Sequence, residues 1–156
     1  MSFIISTGLQ GHLMATADLK SALDGTVIKI YGDAVSQAAA NALIPATADA
    51  AIGSATLLST ISVGGAGTGI TFEGTPVNGA IVKTAAETWL GTNGNSGYAA
   101  FYRIELASDT GALSTTAIRA QGTVGQLNTD LIIAAAYMTS GQEQRIDSYV
   151  IGIPTA

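Results

Sequence analysis

The stretch AETWLGTNGNSGYAAFYRIELAS, residues 86–108, decides the fold. Within 98–108, Ala100, Tyr102, Ile104 and Leu106 alternate with Phe101, Arg103 and Glu105, the two-residue period of a strand. The first set reads as a core face, and the second mixes charges with one ring. Between this strand and the only Trp lies the run GTNGNSG (91–97). It includes Asn93-Gly94, a dipeptide suited to the positive φ angles of tight hairpin turns. Trp89 is therefore expected across from, or diagonal to, the 98–102 strand as a cross-strand aromatic partner. The competing reading is an aromatic surface of Trp89, Tyr98 and Tyr102 on which a ligand stacks.

The same vocabulary extends outward in both directions. TVIKIYG (26–32), TLLSTISV (56–63), GITFEG (69–74), GAIVKTA (79–85) and AETWLG (86–91) read as strands upstream. TTAIRAQGTVG (115–125), NTDLIIAAAYM (128–138) and RIDSYVIGIP (145–154) follow. Short strands separated by Gly, Asn, Ser and Asp predict an all-β fold, a sandwich or a barrel. Strands do not alternate with helices, which argues against a parallel α/β sheet.

Two segments break the pattern. Leu9, Leu13, Met14, Ala17 and Leu23 recur at helical spacing, so one N-terminal α-helix is expected over about 9–23. Thr7 would cap it and Gly25 would end it, making 1–25 an N-terminal arm and helix. The Ala-rich excursion, 32–55, is long for a loop. VSQAAANALI could form a short helix stopping before Pro45, since the residue before proline avoids helical geometry. An extended surface path is the alternative. No fixed-period repeat or second domain is visible, so 1–156 reads as a single domain.

Composition narrows the function. Charged residues are 11% of the chain, against about 25% in typical proteins. So few charges leave a monomer poorly protected from self-association, which points to life in an assembly. Lys20, Lys29, Lys83, Arg103, Arg119 and Arg145 are scattered singly, with none of the clustering that nucleic-acid binding needs. There are no cysteines, which removes disulfides and thiolate metal sites. MSFIIST lacks the basic region of a signal peptide, and LIIAAAYM (131–138) is too short for a membrane helix. Neither nucleic acid nor membrane is expected as a partner, and synthesis in a cytoplasm is.

No catalytic constellation emerges. The single histidine, His12, has no nucleophile signature around it. GGAGTG (64–69) follows a strand but precedes another, whereas a phosphate loop needs a helix there. The carboxylates are dispersed, and no calcium-loop spacing is present. No enzyme activity, cofactor or metal is expected.

The order of elements resembles a group of small virion structural proteins of tailed bacteriophages. The matching pieces are MSFIISTGLQGHLM, GTVIKIYGD, PATADAAIGSATLLSTISV, ITFEGTPVNGAIVKTAAETWLGTNGNSGYAAFYRI, STTAIRAQGTVG and IDSYVIGIPTA, which together cover most of the chain. The resemblance implies an antiparallel β-sandwich, jelly-roll-like, as a particle component, foremost a cement or decoration protein that binds the assembled head and bridges subunits. Its partners would be the major capsid protein or other virion proteins, it would be a homo-oligomer, and its place would be the virion. A neck, collar, tail or fibre-attachment position is the alternative, and a carbohydrate-binding sandwich a further one. AVSQAAANALI departs from the pattern as an insertion, so Leu43, Ile44 and Pro45 become candidate contacts. Phe3, Ile4 and Ile5, consecutive large apolar residues, are expected either to anchor on the shell or a sister subunit or to form a first strand.

Overall fold

A computed structural model of the chain describes residues 3–152. In chain order the elements are β1 (Ile4–Ile5), α1 (Thr7–Ala15), α2 (Leu19–Leu23), β2 (Val27–Asp33), α3 (Gln37–Ala42), β3 (Thr56–Val63) and β4 (Ala80–Val82). Then come β5 (Trp89–Thr92), β6 (Gly97–Glu105), β7 (Ala120–Gly125), β8 (Leu131–Ile132), β9 (Tyr137–Met138), β10 (Glu143–Ile146) and β11 (Val150–Gly152). The fold is all-β and sandwich-like. A nine-stranded sheet runs β1-β7-β6-β2-β3-β5-β10, with β8 beside β7 and β9 beside β6, and β4 and β11 form a separate two-stranded sheet. Apart from the parallel β7–β8 pair, the ladders are antiparallel.

The central pair, β2 and β6, is buried on both faces. Ile28, Ile30, Tyr102 and Ile104 turn to one side and join Leu9, Leu23, Ile61, Phe72, Trp89, Tyr149 and Ile151 in the main core. The layer covering that side is assembled from α1, α2, the 70–72 segment and the small sheet. Tyr31, Ala100 and Phe101 turn to the other side, where Ala40, Leu43, Ile44 and Ile52 cover them. That second layer is the Ala-rich excursion.

Several local expectations are corrected. The N-terminal helix is broken in two, because the Asp18 carboxylate accepts the Ser21 N–H at 2.7 Å and caps a new start. Ser6, rather than Thr7, caps α1 by accepting the Leu9 N–H. Residues 69–74 make only isolated bridges, Thr26 with Ile70 and Phe72 with Lys83. The 128–138 run divides into β8 and β9, which join different strands of the large sheet. The 145–154 run, whose last two positions lie outside the described residues, divides because the chain crosses between layers at 147–149, inserting Tyr149 into the core. The excursion is helical over α3 and irregular from Leu43 to Ala55.

The hairpin expected around 91–97 does not form. β5 pairs with β3 and β10, so β2 and β3 separate it from β6. Asn93 is buried rather than at a turn tip, its N–H donating to Gln142 O at 2.8 Å. The Gly94 N–H donates to Leu58 O, tying the loop across β3. Local turn chemistry thus loses to pairing with distant strands. Gly91 shows how tight that pairing is, since a Cβ there would lie 2.1 Å from Thr60 O.

Candidate functional site

The residues expected as an aromatic surface are largely interior. Trp89 and Tyr102 are fully buried, and Tyr98 is half-buried with its ring edge-to-face against Tyr137. Trp89 packs edge-on against Phe72 and tilted against Tyr149, and its indole N–H donates to Glu87 at 2.7 Å. The Tyr102 and Tyr149 hydroxyls meet at 2.6 Å, and burial pushes both phenols well above their ordinary pKa. These rings are core structure, and Trp89 and Tyr102 offer no face to a ligand.

Phe3, Ile4 and Ile5 realise the first-strand reading. Ile4 and Ile5 pair with Gln121 and Ala120, while Phe3 and Ile5 pack on the core. Ile4 and Ile5 thus cover one end of the large sheet. Leu43 and Ile44 are half-buried against the second core cluster. Pro45 is half-buried as well, its carbonyl accepting from Gln121 Nε2 at 2.8 Å. These three fix the excursion to its own sheet.

The opposite face of β2 and β6 holds an arrangement that the sequence reading did not assemble. Lys29, Arg103, Glu105 and Arg119 are all buried, as is Gln121, and Arg103 and Glu105 are 0% exposed. Strand alternation explains the placement, because Lys29, Tyr31, Phe101, Arg103 and Glu105 share one face. Lys29 lies 3.2 Å from Glu105, and the Tyr31 hydroxyl donates to the same carboxylate at 3.0 Å. Arg119 grips Asp109 through two parallel bonds of 2.7 Å, the forked geometry that makes Arg–carboxylate pairs strong.

The remaining donors reach backbone carbonyls of the loops. Arg103 donates to Ala50 O at 2.7 Å and to the Gln121 side chain, and Arg119 donates to Ala48, Asp49 and Ala112 carbonyls. Lys29 donates to Asp109 O at 2.6 Å. A segment with no ladder of its own thereby has its carbonyls satisfied, which burial demands. Arg103 Nη1 and Glu105 Oε2 make no hydrogen bond, and Glu105 Oε2 lies 3.8 Å from Arg119.

Electrostatics follow from burial. Desolvation pushes the Glu105 carboxyl up, against the opposing pull of Lys29. Desolvation also raises Asp109, but the Arg119 bonds and the Gly111 N–H outweigh it and leave that carboxyl below its usual value. Burial and the neighbouring Arg119 lower Arg103, while Asp109 raises Arg119. Apart from Arg103 Nη1 and Glu105 Oε2, the donors and acceptors of the cluster are matched to structure.

The other candidates resolve locally. Half-buried His12 leaves Nε2 without a partner, and no nucleophile is hydrogen-bonded to it. GGAGTG is a turn between Val63 and Ile70, with positive φ at Gly64, Gly65 and Gly67 and no helix behind it. Among the described residues, no grouping of three or more His, Asp or Glu could hold a metal. Among them, no helix is long and apolar enough to cross a membrane.

Taking charge inside changes the outside. Lys20 pairs with Asp24, and Lys83 sits over the Trp89 ring at 5.5 Å. Among the described residues, the charged side chains that stand fully exposed are Asp18, Glu143, Arg145 and Asp147. Meanwhile Met14, Val35, Leu113 and Leu127 are 74–88% exposed. The buried ions were legible one by one as strand positions, but nothing local joins 29 to 105 to 119. No protein-family model, curated protein or solved structure matches the chain.

Proposed function

We propose that this protein is a structural component of a bacteriophage virion, a cement or decoration protein that binds the assembled head and bridges its subunits. One observation carries the reading: Lys29, Arg103, Glu105 and Arg119 are buried and only Asp18, Glu143, Arg145 and Asp147 stand fully exposed, while large apolar side chains stand out on the surface. Scattered apolar side chains are normal on any protein. A surface with so few fully exposed charges between them is suited to a face that meets neighbours. A repeated, multivalent array needs only modest affinity at each contact, because each engaged contact raises the effective concentration of the next. The partner on this reading is the major capsid protein, with sister copies completing the bridge.

The carbohydrate-binding alternative loses its support, because Trp89 and Tyr102 are enclosed. The test is to add purified protein to heads of the encoding phage assembled without it. Saturable binding and a raised melting temperature of the shell are expected. Asp substitution at Met14, Leu113 and Leu127 together should weaken binding while leaving the circular dichroism spectrum unchanged. Heads that neither bind the protein nor gain stability from it would overturn the proposal.

A further inference from the structure

Of the exposed charged residues, Glu143, Arg145 and Asp147 line one groove of about 680 Å³. One wall is β10 with the 147–150 crossing, and the other is the 130–134 segment carrying β8. Asp130 lies at its edge, and the exposed Ile132 and Val150 supply apolar surface. The Arg145 guanidinium pairs with Asp147 at 3.1 Å, which leaves the groove acidic overall.

β10 is also the last strand on its side of the large sheet. In an antiparallel ladder, alternate residues bond to the neighbour and the residues between them turn their backbone groups away. The Asn93 N–H donates to Gln142 O, and the register runs Glu143 to Thr92 through Ile146 to Trp89. Gln144 and Ile146 therefore face β5, while Glu143 and Arg145 present their N–H and C=O outward. The Arg145 carbonyl accepts from the Gln144 side-chain amide at 3.2 Å, a local stand-in for a neighbouring strand. Open edges are templates for strand addition, and charges on them restrict which segments can join.

We propose that this groove is a strand-addition site for an extended segment of a partner protein that alternates basic and apolar side chains. Its backbone pairs with the outer edge of β10. Its basic side chains meet Asp130, Glu143 and Asp147, and its apolar ones meet Ile132 and Val150. Charge selects this occupant over a second copy of the chain, whose own β10 edge carries the same acidic surplus. The site does not depend on the capsid reading, since any partner offering such a segment would fit.

The probe is a short fluorescent peptide alternating lysine and valine, with two controls. One carries N-methyl groups at alternate backbone nitrogens, and the other replaces lysine with glutamate. The lysine–valine peptide should bind saturably and slow amide hydrogen exchange at Glu143 and Arg145. N-methylation should weaken it about tenfold, as should Arg145→Pro, which removes an outward N–H without touching the β5 ladder. Glu143→Gln with Asp147→Asn tests the charge and leaves the backbone intact, and it too should weaken binding. Equal binding of the N-methylated peptide would overturn strand addition, and equal binding of the glutamate peptide would overturn the charge match. Self-association of the protein through β10 in place of peptide binding would overturn the choice of occupant.

Discussion

On one face of β2 and β6 sit Ile28, Ile30, Tyr102 and Ile104; on the other sit Lys29, Tyr31, Phe101, Arg103 and Glu105. The first face is closed by apolar contact with helices, Phe72, Trp89 and the small sheet. That attraction is non-directional and follows buried area. The second face is closed by an excursion whose carbonyls are held by Arg103, Arg119 and Gln121. Those bonds are directional, and a partner lost from them leaves a buried charge or carbonyl unsatisfied. The lesson is that one sheet carries two kinds of cover. One is held mainly by apolar packing, where volume matters most, and the other adds to its apolar contacts bonds that only the right donor can make.

The largest break should come from Arg119→Ala. It strips the fork from Asp109 and a donor from the carbonyls of Ala48, Asp49 and Ala112. Removing one partner of a buried ion pair costs about 3–5 kcal/mol. Urea unfolding should register that loss, with amides of the excursion losing exchange protection ahead of the main core. A loss below about 1 kcal/mol would mean the cluster holds little.

A finer comparison uses conservative changes on each face. Arg119→Lys keeps the charge but not the fork, and should cost about 1.5–3 kcal/mol. Ile61→Leu keeps volume in the main core and should cost less than about 1.5 kcal/mol. Equal costs would erase the distinction between the two covers.

The smallest effect concerns acid. Asp109 titrates below its ordinary value of 3.8 in the folded protein, so its ionised form stabilises the fold above that pH. That contribution is lost as pH falls through the depressed value. Glu105 is displaced upward, so the sign reverses: protonation on acidification favours the folded state. Glu87, on the apolar side, is lowered despite desolvation by bonds from Thr71 and Trp89, and it adds a loss of Asp109's sign. Comparing Asp109→Asn with the native chain isolates the cluster. The variant should be less stable at neutral pH, and its deficit should shrink as acid neutralises the native Asp109. A deficit constant with pH would contradict the assignment.

Much of the architecture was legible because strand alternation is local. TLLSTISV became β3 from Thr56 to Val63, and TVIKIYG became the core of β2. The 98–108 stretch became β6, with Tyr102 and Ile104 in the main core as expected. The face that mixes charges with one ring is buried too, because partners from 29, 109, 119 and the excursion enclose Arg103 and Glu105. Leu106, assigned to the core, lies beyond the strand and is 53% exposed. The same limit applies to Trp89, whose neighbours Phe72 and Tyr149 are brought together only by sheet order. Pairings over long sequence separation are properties of the assembled sheet, and no window of the chain contains them.

On the virion reading, a protein that buries Lys29, Arg103, Glu105 and Arg119 and leaves few charges fully exposed presents a quiet surface to a shell. A cryo-electron-microscopy map of the intact particle tests that most directly. The account predicts density of this fold on the head, repeated on the order of hundreds of times by the shell's symmetry. Density confined to a neck or tail in about a dozen copies, or a particle without it, would contradict the account.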